Sequence, residues 1–205
     1  MNYYRHTLCF LKPDAKPISP HSTEDRSLLA YWLQNHYPLI VTRQLKNTPL
    51  EHIHLALSLF DKNQMKKIRL RFLFEKSQIQ SSCELPKINQ LFPHIKTDVE
   101  VRVYGSYCWE HLTGLHCIRK SSDLDLLIVY QNESISALQR LYQQLSQALK
   151  TIPLDGEIRF PDFGDCAWLE LIQEAFSPQI LIKYQQDIAL IQREYLYAQF
   201  PALIS

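Results

Sequence analysis

The chain has 205 residues, of which 46% are hydrophobic and 21% charged, as in a globular protein with a core of its own. No stretch reaches the roughly 18 apolar residues of a membrane span, and the N-terminus lacks the apolar core of a secretory signal. The five cysteines are odd in number and form no CxxC pair, which favours reduced thiols. We therefore expect a cytoplasmic protein without a membrane partner.

Glycine is scarce, because the chain contains only Gly105, Gly114, Gly156 and Gly164. Their spacing cannot build the GxGxxG fingerprint of dinucleotide-binding proteins or the GxxxxGK[ST] loop of P-loop proteins. The GxSxG turn of the α/β-hydrolases is absent as well. The sequence therefore excludes three common ways of building an enzyme active site.

Charge is distributed unevenly along the chain. Residues 1–92 hold 13 Lys/Arg against 7 Asp/Glu, a net charge of +6, whereas residues 93–205 hold 9 against 14, a net charge of −5. The basic half could hold an anionic ligand or an acidic partner, or it could simply be a solvated surface. Turn residues and prolines at 81–93 predict the boundary between a basic substrate- or partner-binding domain, 1–92, and a catalytic domain, 93–205.

Apolar periodicity predicts the elements of the first half. Helical spacing favours helices, and alternation of apolar and polar residues favours half-buried strands. The strand at 68–74 places Arg69 and Arg71 on its outer face, and their contact with a partner stays open. In chain order we expect a strand at 6–11, a helix at 22–35, a strand at 39–44, a helix at 49–60 and a strand at 68–74.

The second half alternates strands and helices. Strands are predicted at 99–104, 122–130, 154–160 and 179–183, and helices at 107–113, 135–150, about 167–175 and from about 186. The tryptophans Trp32, Trp109 and Trp168 lie on apolar stripes, so we expect them in the core. The fold class is α+β (α/β-like), a small mixed β-sheet flanked by helices with a smaller N-terminal α/β domain.

Acidic residues mark two neighbouring strands of the second half. Asp123 and Asp125 are separated by one leucine, so both carboxylates point to one face of their strand. Two such acids repel each other unless a cation lies between them, and their hard oxygens suit Mg²⁺, with two ions expected. The next strand offers a third carboxylate. We favour Glu157 in that role, with Asp155 as the alternative.

A glycine and a serine open the helix before these strands. Gly105 and Ser106 lie at a helix N-terminus, where backbone N–H groups and the helix dipole favour a phosphate. A serine at such a position can also serve as an N-cap. The combination of phosphate site and acidic pair predicts a metal-dependent transfer at phosphorus.

The segment with Gly105-Ser106, a short helix and Asp123-Leu124-Asp125 running into an apolar strand resembles the DNA-polymerase-β-type nucleotidyltransferase superfamily. Within it, the stretches RVYGSYCWEHLTGL, SSDLDLLI, LDGEIRFPDFGDCAWLEL and ILIKYQQDIAL closely resemble malonate decarboxylase holo-acyl-carrier-protein synthase. This family is also called phosphoribosyl-dephospho-CoA transferase. The specific part of the likeness covers residues 102–183, and the first half is similar more loosely.

The resemblance implies a nucleotidyltransferase fold and a defined reaction. Family members transfer the phosphoribosyl-dephospho-CoA group from its triphosphate donor to a serine of an apo acyl carrier protein and release pyrophosphate; no nucleic acid takes part. Asp123 and Asp125 would then be the catalytic, Mg²⁺-binding pair, joined by the third carboxylate, and Leu169 departs from a basic residue of many relatives. The residues expected to bind substrate are Gly105, Ser106, Ser122, Arg119, Lys120 and Lys183.

Two alternative functions stay open. The chain could be another Mg²⁺-dependent nucleotidyltransferase that uses ATP or CTP to modify a protein, an RNA or a small molecule. It could also be a carrier-protein-binding module that has the fold without turnover.

Overall fold

The computed structural model describes residues 3–61, 66–173 and 177–205, with only the backbone described at Asp61. The chain divides into two compact units. One comprises Met1–Leu85 with Cys108–Ile118, and the other comprises Pro86–Tyr107 with Arg119–Ser205. Both units combine a β-sheet with helices, which confirms the α+β class.

The first unit is built on a five-stranded sheet in which every neighbouring pair is antiparallel. One helix, α1 (Thr23–Gln34), is capped by Ser22, whose hydroxyl accepts a hydrogen bond from the Asp25 N–H. The strand order is β4-β3-β2-β1-β5. Their bounds are β1 Leu8–Leu11, β2 Leu39–Val41, β3 His52–Asp61, β4 Lys66–Glu75 and β5 Ile79–Cys83.

The helix predicted at 49–60 is wrong, because this segment forms strand β3. The helical spacing used Leu50, which is 86% exposed in the structure. The alternation of Ile53, Leu55 and Leu57 is the stronger signal, and these three side chains are buried on one face of the sheet. A ten-residue pairing with β4 then satisfies the backbone groups of this strand.

Trp32 and Trp109 lie in the core of the first unit, as predicted. Their rings meet edge to face with centroids 5.5 Å apart. The indole N–H of Trp32 donates to the Pro38 carbonyl at 2.8 Å, so the buried ring carries no unsatisfied donor.

The second unit is built on a six-stranded sheet of order β11-β10-β9-β8-β7-β6. Its strands are β6 Val101–Tyr104, β7 Leu124–Val129, β8 Leu154–Phe160, β9 Gly164–Ala167, β10 Gln179–Lys183 and β11 Ile188–Gln192. The helices are α2 Ile88–Leu91, α3 Gly105–Thr113, α4 Ile135–Ala148, α5 Trp168–Ile172 and α6 Arg193–Gln199, where α3 passes into the first unit from Cys108 onward. Strands β7 and β8 pair in parallel, and the other pairs are antiparallel.

Helix α4 connects the two parallel strands. It is capped by Ser134, whose hydroxyl accepts a hydrogen bond from the Ala137 N–H. One face of the helix is buried, and it carries Ile135, Leu138, Leu141 and Leu145. A parallel pair needs such a crossover, because a tight turn cannot return the chain to the same end of the sheet.

Two predictions near the C-terminus need correction or limitation. The helix expected from about residue 186 is wrong for its first residues, because Ile188–Gln192 forms strand β11 and pairs with β10 as an antiparallel hairpin. The helix begins at Arg193. The helix expected at about 167–175 is present as α5, and residues 174–176 lie outside the described part of the chain. Trp168 is buried, as predicted.

Arg193 is a buried charge whose hydrogen bonds hold α5 against α6. Its guanidinium donates to the carbonyls of Glu170, Leu171 and Ser177. Two of these carbonyls belong to α5, whose last carbonyls have no partner within the helix.

Among the described helices, none combines the length and the apolar character that a membrane crossing requires.

Candidate active site

Three carboxylates converge where β7 and β8 begin. The parallel register places Asp125 beside Asp155, and Asp123 directly precedes β7. Each residue offers one carboxylate oxygen, and these oxygens lie within 4.8 Å of one another. Asp123 and Asp155 are exposed and Asp125 is half-buried, so the group opens toward solvent.

The apolar residues that follow explain why these acids are held in place. Leu124, Leu126, Leu127 and Ile128 are buried, which anchors β7 in the core and leaves the acids at its start. Three carboxylates at this distance repel one another when ionised, and a cation among them removes that cost. Their oxygens are the hard ligands that Mg²⁺ prefers, so the donor set fits this ion.

Gly105 makes room for the Asp125 carboxylate. It has φ +68°, a conformation that residues with a side chain rarely adopt. A Cβ at this position would lie 1.8 Å from Asp125 Oδ2 and 2.6 Å from its carboxyl carbon. The antiparallel register that pairs Tyr104 with Asp125 causes this close approach. Glycine is therefore required at residue 105 by both backbone conformation and space.

Ser106 lies in the first turn of α3 and is only 6% exposed. The N–H groups of a first helical turn have no acceptor within the helix, so they favour an anion. The start of α3 thus offers donors at the same end of the strands as the acidic group.

Glu157 lies outside the group of three acids. It is two residues further along β8 and 5% exposed, and its Oε1 accepts a hydrogen bond from Lys183 Nζ at 2.5 Å. Two residues predicted for separate roles, a catalytic acid and a substrate cation, are thus bound to each other. Asp155, the alternative third carboxylate, is the residue that the structure brings to Asp123 and Asp125.

The loop before β7 contains the other residues expected to bind substrate. Ser122 is buried and closes a turn, because its hydroxyl accepts from the Arg119 N–H and its N–H donates to the Arg119 carbonyl, both at 2.9 Å. Arg119 and Lys120 are exposed. This turn sets the chain direction immediately before Asp123.

Gly156 is a residue of the site that the sequence interpretation did not assign. A Cβ here would lie 2.3 Å from the Leu126 carbonyl oxygen, so a side chain would push β8 away from β7. The Gly156 N–H also donates to Asp155 Oδ1 at 2.7 Å. A glycine inside a strand, between two acids, was the available signal for this close backbone approach.

Burial disfavours thiolate chemistry at Cys9, Cys108 and Cys166. All five cysteines are free. Burial raises the pKa of the Cys9 and Cys108 thiols to about 12, and burial also raises the pKa of Cys166. Thiols with such pKa values stay protonated near neutral pH, and the thiolate is the reactive form.

Residues 69–194 match the family model described as the phosphoribosyl-dephospho-CoA transferase MdcG C-terminal domain. The chain therefore belongs to the phosphoribosyl-dephospho-CoA transferase family. This stretch contains all three converging acids and the start of α3. No solved structure matches the chain.

Curated relatives carry the same family name. A phosphoribosyl-dephospho-CoA transferase of Bradyrhizobium diazoefficiens is 27% identical over 210 residues, covering 92% of this chain and 90% of the relative. One from Xanthomonas axonopodis pv. citri is 38% identical over 96 residues, covering 46% of this chain and 44% of the relative. One from Xanthomonas campestris pv. campestris is 24% identical over 212 residues, covering 95% of this chain and 97% of the relative. The similarity therefore extends over nearly the whole length of two relatives.

Proposed function

We propose that this protein transfers phosphoribosyl-dephospho-CoA from its triphosphate donor to a serine of an apo acyl carrier protein of the malonate decarboxylase type. The observation that carries the proposal is the convergence of Asp123, Asp125 and Asp155 beside the start of α3 in a chain of this family. The relatives are named phosphoribosyl-dephospho-CoA transferases, and this name indicates the transferred group. The carboxylates and the helix start of the site suit a metal ion and phosphates.

Mg²⁺ is the proposed ion, and Asp123, Asp125 and Asp155 are the residues that would hold it. When bound, such an ion neutralises charge on phosphate oxygens. The N–H groups at the start of α3 bind the triphosphate, and Gly105 allows the Asp125 carboxylate to lie against this end of the helix.

The transfer is a displacement at the α-phosphorus of the donor. The serine oxygen of the carrier forms a bond to this phosphorus, and the bond from the phosphorus to the bridging oxygen breaks. Pyrophosphate leaves, and Asp155 accepts the proton of the serine hydroxyl. Asp155 suits this role because its carboxylate is exposed and lies beside the acidic pair.

Replacement of Asp123 or Asp125 with asparagine tests the proposal. Each variant should modify the apo carrier at least about 10³-fold more slowly, because loss of an acid weakens both metal binding and charge stabilisation. Mass spectrometry of the carrier, incubated with enzyme, Mg²⁺ and donor, measures the rate. The matched control is Asp98→Asn, which removes an exposed acid of the same unit. Modification within about tenfold of the unaltered protein in either variant would contradict the proposal.

The alternatives give different results in the same assay. A nucleotidyltransferase of another specificity would leave the carrier unmodified with this donor and transfer label from ATP or CTP to another acceptor. A non-catalytic binding module would bind the carrier without a mass increase. Calorimetry adds an independent readout, since Mg²⁺ should bind the unaltered protein and Asp98→Asn but not Asp125→Asn.

A further inference from the structure

Asp123 differs from the other two acids of the site in how its side chain is held. Asp125 lies against Gly105, and Asp155 Oδ1 accepts a hydrogen bond from the Gly156 N–H at 2.7 Å. Within the part of the chain that the structure describes, the exposed Asp123 carboxylate makes no hydrogen bond or ion pair of its own. Asp123 also precedes β7, so no strand pairing fixes its backbone. Its position therefore depends on the residues beside it.

The chain is fixed on both sides of Asp123. On the carboxyl side, Leu124 is fully buried, and its N–H donates to the Pro153 carbonyl at 2.8 Å. This bond joins the segments that lead into β7 and β8. On the amino side, Ser122 closes its turn with two hydrogen bonds to the Arg119 backbone. Asp123 is thus a single residue between two fixed points.

The Ser122 hydroxyl is part of this turn and is shielded from solvent. Only 7% of Ser122 is exposed, and its Oγ accepts from the Arg119 N–H at 2.9 Å. Loss of the hydroxyl would take this acceptor away from the Arg119 N–H, and a partly buried donor without a partner costs free energy. The turn would then relax, and the adjoining Asp123 would lose its fixed position on that side.

We infer that Ser122 is a positioning residue, which holds Asp123 within reach of an ion bound by the other two acids. This inference rests on the proposed function. One cation can contact all three carboxylates only where their oxygens lie close together, here within 4.8 Å of one another. A metal ligand that must first be ordered lowers the affinity, because binding then includes the cost of fixing it. Ser122 acts on the metal through Asp123, without itself touching the metal or the substrate.

Calorimetry with Mg²⁺ alone tests the inference on the full chain. Ser122→Ala should weaken Mg²⁺ binding about tenfold, the size expected for loss of one hydrogen bond. Ser121→Ala is the matched control, because it removes the exposed hydroxyl of the preceding residue and should bind Mg²⁺ as the unaltered protein does. Ser122→Thr keeps the hydroxyl and should restore Mg²⁺ binding to within about threefold of this control.

Carrier modification provides a second readout. At saturating donor and limiting Mg²⁺, Ser122→Ala should modify the apo carrier about tenfold more slowly, and excess Mg²⁺ should recover most of that loss. In the Asp123→Asn background the same change should slow the remaining activity less than about twofold, because Ser122 acts through the carboxylate that is already lost. A general loss of stability would instead lower the rate in both backgrounds alike.

Two outcomes would overturn the inference. One is Mg²⁺ binding by Ser122→Ala as tight as by Ser121→Ala; if pyrophosphate binding in EDTA were then weaker, Ser122 would contact substrate phosphates instead. The other is Mg²⁺ binding by Ser122→Thr as weak as by Ser122→Ala. Should Ser122→Ala be less stable, the rise in its melting temperature on adding Mg²⁺ gives the same comparison, since this rise reports Mg²⁺ affinity and should be smaller than in Ser121→Ala.

The inference and the proposed function fail in different ways. If the unaltered protein bound Mg²⁺ without modifying the carrier, the proposed function would fail, and calorimetry would still decide the role of Ser122. If Asp123→Asn abolished modification while Ser122→Ala left Mg²⁺ binding intact, the proposed function would stand and the role given to Ser122 would be wrong.

Discussion

The two sheets of this protein use the same strand geometry for opposite charges. In the first unit every strand pair is antiparallel, and alternation along one strand presents Arg69 and Arg71 to solvent. In the second unit one parallel pair, β7 with β8, brings acids from two strands together at one end. Strand alternation places Arg69 and Arg71, like Asp123 and Asp125, about 6.5–7 Å apart at the backbone. The parallel register then adds Asp155 to the acidic pair and completes a single ligand set.

The outer face of β4 therefore suits an extended anion, whereas the start of β7 and β8 suits a small cation. The carboxylate oxygens lie within 4.8 Å of one another, close enough for one ion to contact all three. The guanidinium groups of the exposed arginines instead have the geometry that matches the oxygens of an anion such as a phosphate. The following predictions test this contrast in order of expected effect.

Beyond the Asp123 and Asp125 variants described above, the largest effect is expected at the third carboxylate. Asp155→Asn should slow carrier modification about 10²- to 10⁴-fold, the range for loss of a general base. Glu157→Gln should slow it less than about tenfold, because Glu157 binds Lys183 instead of the acidic pair. Mass spectrometry of the carrier compares the two rates. The opposite ranking would make Glu157 the third carboxylate and leave Asp155 without a role in the transfer.

The same pair of variants should differ in stability. Glu157 is buried and pairs with the partly exposed Lys183, so Glu157→Gln should lower the free energy of unfolding by about 1–2 kcal/mol. Asp155→Asn should leave it unchanged or raise it, since repulsion among three acids is relieved. Urea unfolding in EDTA measures both, and a destabilised Asp155→Asn protein would count against mutual repulsion.

Gly105→Ala should disturb the site through Asp125. Its positive φ costs about 1–3 kcal/mol for a residue with a side chain, and the Cβ would displace the carboxylate. Carrier modification should fall about 10²-fold or more. Gly114→Ala is the matched control, because Gly114 has φ +67° and a Cβ there would meet no other part of the described chain within 4 Å. Equal activity loss in both variants would assign the effect to backbone strain alone.

The smallest effect concerns His54, which is the diagonal neighbour of Arg71 on strand β3. Burial lowers the pKa of His54, and the positive charge of Arg71 lowers it further. Its pKa in the folded state therefore lies below the unfolded value, so stability is complete above the ordinary histidine pKa and declines as the pH falls toward the folded pKa. Arg71→Gln should raise the pKa of His54 in an NMR titration, and Arg26→Gln should not. An unchanged pKa of His54 in the Arg71→Gln variant would mean that the charge of Arg71 does not lower this pKa.

Much of the fold could be predicted where the periodicity was unambiguous. The alternation at 68–74 matches β4, and the helical stripe after Ser134 matches α4. The helix predicted at 49–60 failed because helical and strand spacings both fitted its apolar residues, and pairing with β4 decided between them. The segment after residue 186 failed for the same reason, since its strand is defined by the hairpin with β10.

An acidic pair beside the start of a helix could be predicted from the sequence alone. Asp123, Asp125, Gly105 and Ser106 are close in the chain, so strand alternation and the helix start suffice to predict an acidic pair and a phosphate site. The same motifs carried the family resemblance, which the family model supports over residues 69–194.

Only the tertiary structure could distinguish Asp155 from Glu157. The two acids alternate onto one face of β8, so periodicity treats them alike. The parallel register places Asp155 beside Asp125, while Lys183, from a strand two places away in the sheet, pairs with Glu157. The clash that demands glycine at residue 105 arises in the same way, because register and close backbone approach depend on contacts between distant parts of the chain.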